Sequence, residues 1–328
     1  MFRLLYILVF LILPHVVRSQ DSSLFATCFH RDSIRNIVEV LASDSLQGRF
    51  TGKTGNTKAA LFIAEEFRKA GLLPVSGFNG YFMDAGGYGS NILGAIKGTK
   101  TSGQVIIFSA HFDHVGTDAT NPFPGLNNSA PGEKGDHIFN GANDNASGVA
   151  AIISLAKYFA KAPRPEKTIL FMAFNGEELG LKGSAHAATL FDPDSIIANI
   201  NIEMIGRPHF SKGRPYMTGA DYSRLISIMN ERLYEYDPAR YKKSFIRPDP
   251  FTQQDLYMRS DNYSFAKKGV IAHSIMVTSP EDKYYHSKND EPDTLDYDLM
   301  SEIIKAIAIG STGLVNGEDI LSRKKKKK

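Results

Sequence analysis

The sequence is organised around three segments that lie within residues 106–188. They read IIFSAHFDHVG (residues 106–116), NGANDNASGVAAII (residues 140–153) and TILFMAFNGEELGLKGSAHAA (residues 168–188). Each segment contains an apolar run that is typical of a buried strand or helix, and each carries histidine or acidic side chains beside that run. Because ligands of open α/β sheets bind beyond the carboxyl ends of the strands, these polar side chains are candidates for a single site.

Strand-like and helix-like patterns alternate along most of the chain, which predicts an α/β fold. We expect a three-layer sandwich with helices on both faces of the sheet. Residues 90–96 and 104–109 are apolar runs around a short polar segment, and this spacing predicts a β-hairpin. After a strand at residues 168–174 we predict a helix over residues 178–190.

Length and composition indicate one sizeable domain. The chain has 328 residues, of which 42% are hydrophobic and 22% are charged, and neither an internal repeat nor a linker divides it. We therefore predict a single domain over residues 20–320. Cys28 is the only cysteine, so an internal disulfide cannot form and stability must come from the core and from bound metal.

The distribution of charge argues against a nucleic-acid partner. The formal net charge is +3, but Arg323 and the five terminal lysines supply six positive charges. Removing these six charges from +3 leaves −3, so the body of the chain lacks the concentrated basic face that nucleic-acid binding needs. Residues 321–328 are predicted to be a basic, disordered tail.

The first 19 residues have the features of a secretory signal peptide. Arg3 supplies a positive charge, residues 4–13 form an apolar run of ten, and residues of small or modest size precede a cleavage site at residue 20. The run is about half of the ~20 apolar residues that a membrane-spanning helix needs. We therefore predict cleavage, export to the periplasm or the extracellular space, and no stable membrane insertion afterwards.

Candidate metal ligands follow or precede the apolar runs. His111 follows the first strand-like run, Asp144 precedes a helix-like run, and Glu177 and Glu178 follow the strand at residues 168–174. Zn²⁺ binds imidazole and carboxylate, and the two oxygens of one carboxylate can bridge a pair of ions ~3.5–4 Å apart. Of two adjacent acids, one can ligate a metal while the other acts as a general base.

Each of these features also has a purely structural explanation. Asp144 is a favoured helix N-cap, and acids such as Glu177 and Glu178 stabilise a helix N-terminus. Two later residues support the chemical interpretation: Glu203 lies in an apolar run, where an unpaired acid is costly, and His286 follows the last predicted strand. The occurrence of all these side chains at strand ends favours a metal site.

Together, these segments resemble a known family, the co-catalytic dizinc aminopeptidases that include the bacterial leucyl aminopeptidases. Glutamate carboxypeptidase II, glutaminyl cyclase and the transferrin receptor ectodomain are wider relatives of that family. The resemblance covers nearly the whole mature chain and rests on LASDSLQGRFTGKTGN (41–56), HFD (111–113), NGANDNASG (140–148), NGEELGLKGS (175–184), NIEMIGR (201–207) and HSKND (286–290).

The resemblance implies a twisted, mixed sheet of about eight strands and two zinc ions per chain. Asp144 would bridge the ions, and each ion would have one further carboxylate and one histidine. The ligands would be His111, Asp144, Glu178, Glu203 and His286. Glu203 stands where the bacterial aminopeptidases usually have aspartate, so its extra methylene could alter the spacing of the metals.

Other residues receive supporting roles from the same resemblance. Glu177 would be the general base, Asp113 would hold His111, and Asp290 could support His286. The remaining histidines, such as His114, His137 and His209, are expected to be loop or surface residues.

The predicted function is that of an exported zinc exopeptidase, an aminopeptidase that acts on peptides with a free N-terminus. Three alternatives remain open. A glutaminyl-cyclase-like acyltransferase would use one zinc ion, and a non-catalytic binding ectodomain would use none. A carboxypeptidase or dipeptidase for acidic substrates would need a basic residue, such as Arg207 or Arg259, near the site.

The loop over residues 116–141 gives a first testable prediction. It leaves the HFD segment and returns to Asp144, so it must border the site, and its proline and glycine content suggests a shaped rim rather than a core element. Shortening it should change relative rates across a peptide panel more than it changes the free energy of unfolding. Unchanged relative rates would count against this role.

Overall fold

The computed structural model describes residues 22–100, 103–123, 135–208 and 213–322. The predicted signal peptide and most of the predicted basic tail lie outside these residues. Among the described helices, none combines the length and the apolar character that crossing a bilayer requires.

A mixed sheet of eight strands forms the centre of the fold, and a separate two-stranded ribbon, Gly116–Thr117 with Ile138–Phe139, accompanies it. The strands are β1 (Phe82–Asp84), β2 (Ser90–Ile96), β3 (Val105–His111), β4 (Gly116–Thr117), β5 (Ile138–Phe139), β6 (Thr168–Phe174), β7 (Ile196–Ile202), β8 (Tyr216–Met217), β9 (Arg247–Pro248) and β10 (Ala272–Met276). The order in the large sheet is β1-β2-β6-β3-β7-β10-β8-β9. The predicted α/β class with about eight strands is confirmed.

Helices cover both faces of this sheet. They are α1 (Arg31–Leu41), α2 (Thr54–Lys69), α3 (Ser147–Lys161), α4 (Lys182–Leu190), α5 (Leu225–Tyr236), α6 (Asn262–Ala266) and α7 (Tyr297–Val315). Side chains from α1, α2, α3, α5 and α7 belong to the larger core, while those from α4 and α6 belong to a smaller one.

The two-residue period of the strands divides their side chains between these two cores. In β3, Ile106 and Phe108 belong to the larger core, and Ile107, which lies between them, belongs to the smaller core. Successive side chains of a strand point to opposite faces, so an uninterrupted apolar strand can fill both layers.

The predicted hairpin of residues 90–96 and 104–109 is wrong, although both runs are strands. β6 lies between β2 and β3, antiparallel to β2 and parallel to β3. The N–H groups of Thr99 and Lys100 donate to the carbonyls of Pro165 and Glu166, just before β6. The connection from β2 to β3 therefore passes the start of β6, a contact that sequence proximity does not reveal.

The helix predicted over residues 178–190 begins only at Lys182. The N–H groups of Gly180 and Leu181 both donate to the Glu177 carbonyl and close a turn. Gly180 and Leu181 have positive φ angles of 94° and 60°, which a helix does not allow. Glu177 and Glu178 therefore lie in the turn between β6 and α4 rather than on a helix.

Candidate metal centre

Four parallel strands at the centre of the sheet end at one edge, and the candidate site lies there. β6, β3, β7 and β10 are neighbours with parallel pairing. His111 is the last residue of β3, Glu203 directly follows β7, and Glu177, Glu178 and His286 lie on the segments that follow β6 and β10. The carboxyl ends of parallel strands thus bring together side chains that are far apart in the sequence.

Two groups of buried side chains, which share Asp144, could each hold a metal ion. Cluster A consists of His114, Asp144, Glu178 and His286. In this cluster His286 Nε2 lies 3.0 Å from Glu178 Oε2 and 3.3 Å from Asp144 Oδ2. His114 Nδ1 lies 2.9 Å from Glu178 Oε1.

Cluster B consists of His111, Asp144 and Glu203. His111 Nε2 lies 2.9 Å from Glu203 Oε1 and 3.3 Å from Asp144 Oδ1. The two carboxylate oxygens of Asp144 therefore face different clusters, with Oδ1 towards His111 and Oδ2 towards His286. A carboxylate in this position can bridge two ions.

The donor atoms fit zinc in kind and in spacing. Ligand atoms ~2.0–2.2 Å from a tetrahedral Zn²⁺ are about 3.3–3.5 Å from one another. The nitrogen–oxygen separations within the two clusters are 2.9–3.8 Å. His286 Nε2 is close to two carboxylates, yet among the described residues it has no partner with hydrogen-bond geometry, so no hydrogen bond competes with a metal for this atom.

In cluster A, the carboxylates and imidazoles shift one another's pKa values. Burial by itself lowers the pKa of His286, but the Glu178 and Asp144 carboxylates outweigh it and raise this pKa to about 10. Burial raises the pKa of Glu178, but His286 and the hydrogen bond from His114 together outweigh it and bring this pKa to about 2. An ion that binds through His286 must therefore displace its proton.

Asp113 holds the turn that carries the two glutamates. Its carboxylate accepts hydrogen bonds from the N–H groups of Glu177 at 3.1 Å and Glu178 at 3.3 Å, and from the Thr51 hydroxyl at 3.1 Å. His111 Nδ1 lies 3.2 Å from the Asp113 carbonyl oxygen and 3.8 Å from its carboxylate. Asp113 thus contacts His111 chiefly through its backbone, and this contact leaves Nε2 of the ring for cluster B.

Asp290 supports Asp144 rather than His286. Its carboxylate accepts hydrogen bonds from the N–H groups of Asn143 at 2.9 Å and Asp144 at 3.0 Å. Arg207 Nη1 donates to the same carboxylate at 2.6 Å. Within the described part of the chain, Asp290 makes no hydrogen bond or ion pair with His286, so its support reaches the clusters through the backbone of Asp144.

Glu203 fits the site despite being longer than aspartate. Its Oε1 faces His111 in cluster B, and its Oε2 accepts a hydrogen bond of 2.6 Å from the Ser260 hydroxyl. The Ser260 bond leaves Oε1 directed at the cluster.

A pocket opens beside cluster B. Its polar end includes Glu177 and the cluster B side chains, and its walls include Met204, Leu256 and Met276. Glu177 remains partly exposed. Removal from bulk water raises the pKa of Glu177 well above its usual range, and the nearby Glu178 carboxylate adds to this shift.

The loop that was expected to border the site reaches it at Phe123. The Phe123 ring stacks on His286 with a centroid distance of 5.4 Å, and the Tyr285 ring stacks on the same imidazole at 4.0 Å. Residues 124–134 of this loop lie outside the described ranges.

Comparison with known proteins agrees with this arrangement. The model of Peptidase family M28 matches residues 91–309, which is more than half of the chain. The chain belongs to peptidase family M28. Two sequence relatives of this M28 chain are fungal proteins named as probable zinc metalloproteases.

The first, from Pyricularia oryzae, is 29% identical over 244 residues, which cover 66% of this chain and 46% of the relative. The second, from Pyrenophora teres f. teres, is 27% identical over 220 residues, which cover 61% of this chain and 44% of the relative. The M28 chain therefore spans less than half the length of these two curated relatives.

Solved structures share the fold at low sequence identity. The LapA aminopeptidase of Legionella pneumophila has a TM-score of 0.67 and 19% identity, and the match covers 91% of this chain and 75% of LapA. The zinc aminopeptidase BSAP of Bacillus subtilis has a TM-score of 0.65 and 16% identity, with 88% and 95% covered. The glutaminyl cyclase of Porphyromonas gingivalis has a TM-score of 0.65 and 17% identity, with 88% and 99% covered. Because both kinds of enzyme match, the M28 fold does not distinguish their activities.

His114 lies in the loop that follows β3, as expected, but it is buried rather than at the surface. In the M28 chain its side chain is 0% exposed, and it contacts Glu178 in cluster A. The available signal was the second histidine of HFDH, three residues after His111 and just beyond a buried strand. His137 is exposed as expected, and His209 lies outside the described residues.

Arg49 was also given no role from the sequence, although it lies in the segment at residues 41–56 that resembles the family. Arg49 is fully buried, and its guanidinium binds backbone carbonyls from three separate parts of the chain. Burial lowers its pKa to about 10, so it stays charged at neutral pH. The acceptors are Leu41 (2.6 Å), Phe112 (2.7 Å), Asn140 (2.6 Å), Gly141 (2.9 Å) and Asp144 (3.4 Å).

Replacing Arg49 should therefore destabilise the fold strongly. Arg49→Met leaves several buried carbonyls without donors, and we expect the free energy of unfolding to fall by more than about 3 kcal/mol. Arg164 is exposed and donates one hydrogen bond, to the Lys97 carbonyl, so Arg164→Met is a matched control with an expected change within about 0.5 kcal/mol. Urea unfolding measures both, and equal stability of the two variants would contradict the role of Arg49.

Proposed function

We propose that this chain is a zinc-dependent aminopeptidase that is exported after removal of its signal peptide. The division of the Asp144 carboxylate between clusters A and B carries the proposal, because a bridging carboxylate suits a two-metal hydrolytic site. Membership of a peptidase family and the names of the fungal relatives support zinc and peptide hydrolysis.

The proposed ligands come from both clusters and are His111, Asp144, Glu178, Glu203 and His286. When bound there, two zinc ions would polarise the scissile carbonyl and lower the pKa of the attacking water. His111 and Asp144 are also held by groups behind them, which fixes the direction of their donor atoms.

Glu177 is the proposed general base. Its carboxylate lines the pocket beside cluster B and makes no hydrogen bond or ion pair with another described residue, while Asp113 fixes its N–H group. A carboxylate in this position can take a proton from water as the new C–O bond forms. It can then deliver that proton to the leaving amine as the C–N bond breaks.

The pocket beside cluster B suits the N-terminal residue of a peptide. Its apolar walls, which include Met204, Leu256 and Met276, can contact an apolar side chain. The carboxylates at its polar end, among them Glu177 and Glu203, attract a positively charged α-amine. A blocked N-terminus would lack this attraction, so cleavage would be restricted to chain ends.

Of the two arginines named for the carboxypeptidase alternative, Arg259 supports it and Arg207 does not. Arg207 is engaged in buried ion pairs with Asp282 and Asp290, both at 2.6 Å, and is not available to a substrate. Arg259 is exposed and lines the pocket beside cluster B. A cation there could bind the terminal carboxylate of a short substrate, so the decisive test varies both ends of the peptide.

A peptide panel, assayed with and without a chelator, tests the proposal. We expect hydrolysis of leucyl peptides whether their C-terminus is free or amidated, and no hydrolysis after N-acetylation. We also expect loss of activity on chelation and a content of two zinc ions per chain. Rejection of amidated peptides would support a carboxypeptidase. Cyclisation of N-terminal glutamine with one zinc ion per chain would support the glutaminyl-cyclase alternative, and activity that survives complete metal removal would overturn the proposal.

The roles of the adjacent glutamates can be separated by two matched variants. Glu178→Gln should lower zinc content and turnover together, because Glu178 is a proposed ligand. Glu177→Gln should leave zinc content nearly unchanged and lower turnover by ~10²–10⁴-fold, because an amide cannot accept the proton at neutral pH. Zinc stoichiometry and turnover are measured side by side. Loss of metal only from Glu177→Gln would exchange the roles of ligand and base between the two residues. Wild-type turnover in Glu177→Gln would exclude Glu177 as the base.

A further inference from the structure

His114 has no role in the proposed mechanism, yet its ring is fully buried against cluster A. Nδ1 lies 2.9 Å from Glu178 Oε1 and 3.8 Å from Asp144 Oδ2. Nε2 has no hydrogen-bond partner among the described residues. The side-chain oxygens nearest to this imidazole therefore belong to two proposed zinc ligands, and a buried ring with an unpartnered nitrogen needs an explanation.

The loop that carries Asp144 leaves space for this ring. A Cβ atom at Gly141 would lie 2.5 Å from Cδ2 and 2.6 Å from Cγ of His114, and the φ angle of Gly141 is +59°. Arg49 fixes this loop by donating to the Gly141 carbonyl. Glycine at position 141 thus allows the imidazole to reach cluster A without a steric clash.

We propose that His114 is a fourth protein ligand of the zinc ion in cluster A, bound through Nδ1. The inference rests on the proposed two-zinc function and extends it. Nδ1 is the ring atom nearest to the Glu178 and Asp144 oxygens, and its distances to them bracket the spacing of about 3.3–3.5 Å between ligands of a tetrahedral zinc ion.

The two zinc ions would then differ in coordination. Cluster A supplies two imidazoles and two carboxylates, a complete tetrahedral set of the kind that closed zinc sites have. Cluster B supplies one imidazole and two carboxylates, and its side chains line the pocket. With three protein ligands, an ion in cluster B would keep an open position for water or substrate, whereas four protein ligands would hold an ion in cluster A more tightly.

Two variants separate ligation from a simple hydrogen bond to Glu178. His114→Asn places an amide N–H near the position of Nδ1, so it can still donate to Glu178 but is a poor zinc ligand. His114→Ala removes both possibilities. His137→Asn is the matched control, because His137 is an exposed histidine that pairs only with Asp118 within the described ranges.

The measurement is the zinc content and apparent Kd of the full-length protein during titration with a competing chelator. Wild type and His137→Asn should release zinc in two separate steps. Loss of a supporting hydrogen bond typically weakens metal binding by ~10–100-fold, so loss of a ligand should weaken the tighter step by at least ~100-fold in both His114 variants. If His114→Asn keeps the wild-type Kd while His114→Ala does not, His114 only holds Glu178 and the proposal is wrong.

A measurement on the wild-type protein avoids dependence on the folding of the variants. After both zinc ions are replaced by Co²⁺, proton NMR should show paramagnetically shifted ring N–H signals from three imidazoles, those of His111, His114 and His286. Two such signals would overturn the assignment of His114 and leave the two-metal proposal intact. A wild-type protein that binds no zinc would instead refute the proposed function itself.

Discussion

The Asp144 carboxylate must present one oxygen to each of two clusters, and the surrounding backbone is built to hold it there. Asp290 accepts hydrogen bonds from the N–H groups of Asn143 and Asp144. Arg49 donates to the carbonyls of Gly141 and Asp144 from the other side. Both supports bind only backbone atoms of this loop, so the carboxylate oxygens of Asp144 remain directed at the clusters.

The site concentrates buried charge, and the carboxylates of clusters A and B lie against imidazoles. An uncompensated buried charge costs several kcal/mol, so pairing is a condition for the fold as well as for the chemistry. Arg207 pairs with Asp282 and Asp290, whereas Arg49 is satisfied by backbone carbonyls. Because neither arginine pairs with a cluster carboxylate, the acids of clusters A and B remain available to imidazole and to metal.

The sheet determines where the candidate site lies, and the side chains at the strand ends determine its chemistry. Parallel strands at the centre of the sheet direct four loops to one edge, and a bacterial aminopeptidase and a glutaminyl cyclase share the fold. Differences in activity must therefore depend on the side chains at this edge. In this chain they include the proposed ligand Glu203, which Ser260 holds through its second oxygen, and the exposed cation of Arg259.

The sequence by itself determined the α/β class and the side chains that meet at the strand ends, because the period of apolar residues and the position of a polar residue beside a strand are local properties. Only the tertiary structure decided what depends on contacts between distant segments. It placed β6 between β2 and β3, directed Asp290 to Asp144, brought His114 into cluster A, and buried Arg49 among carbonyls from three parts of the chain. No local pattern encodes these partners, since each pair is brought together only when the sheet and its loops have formed.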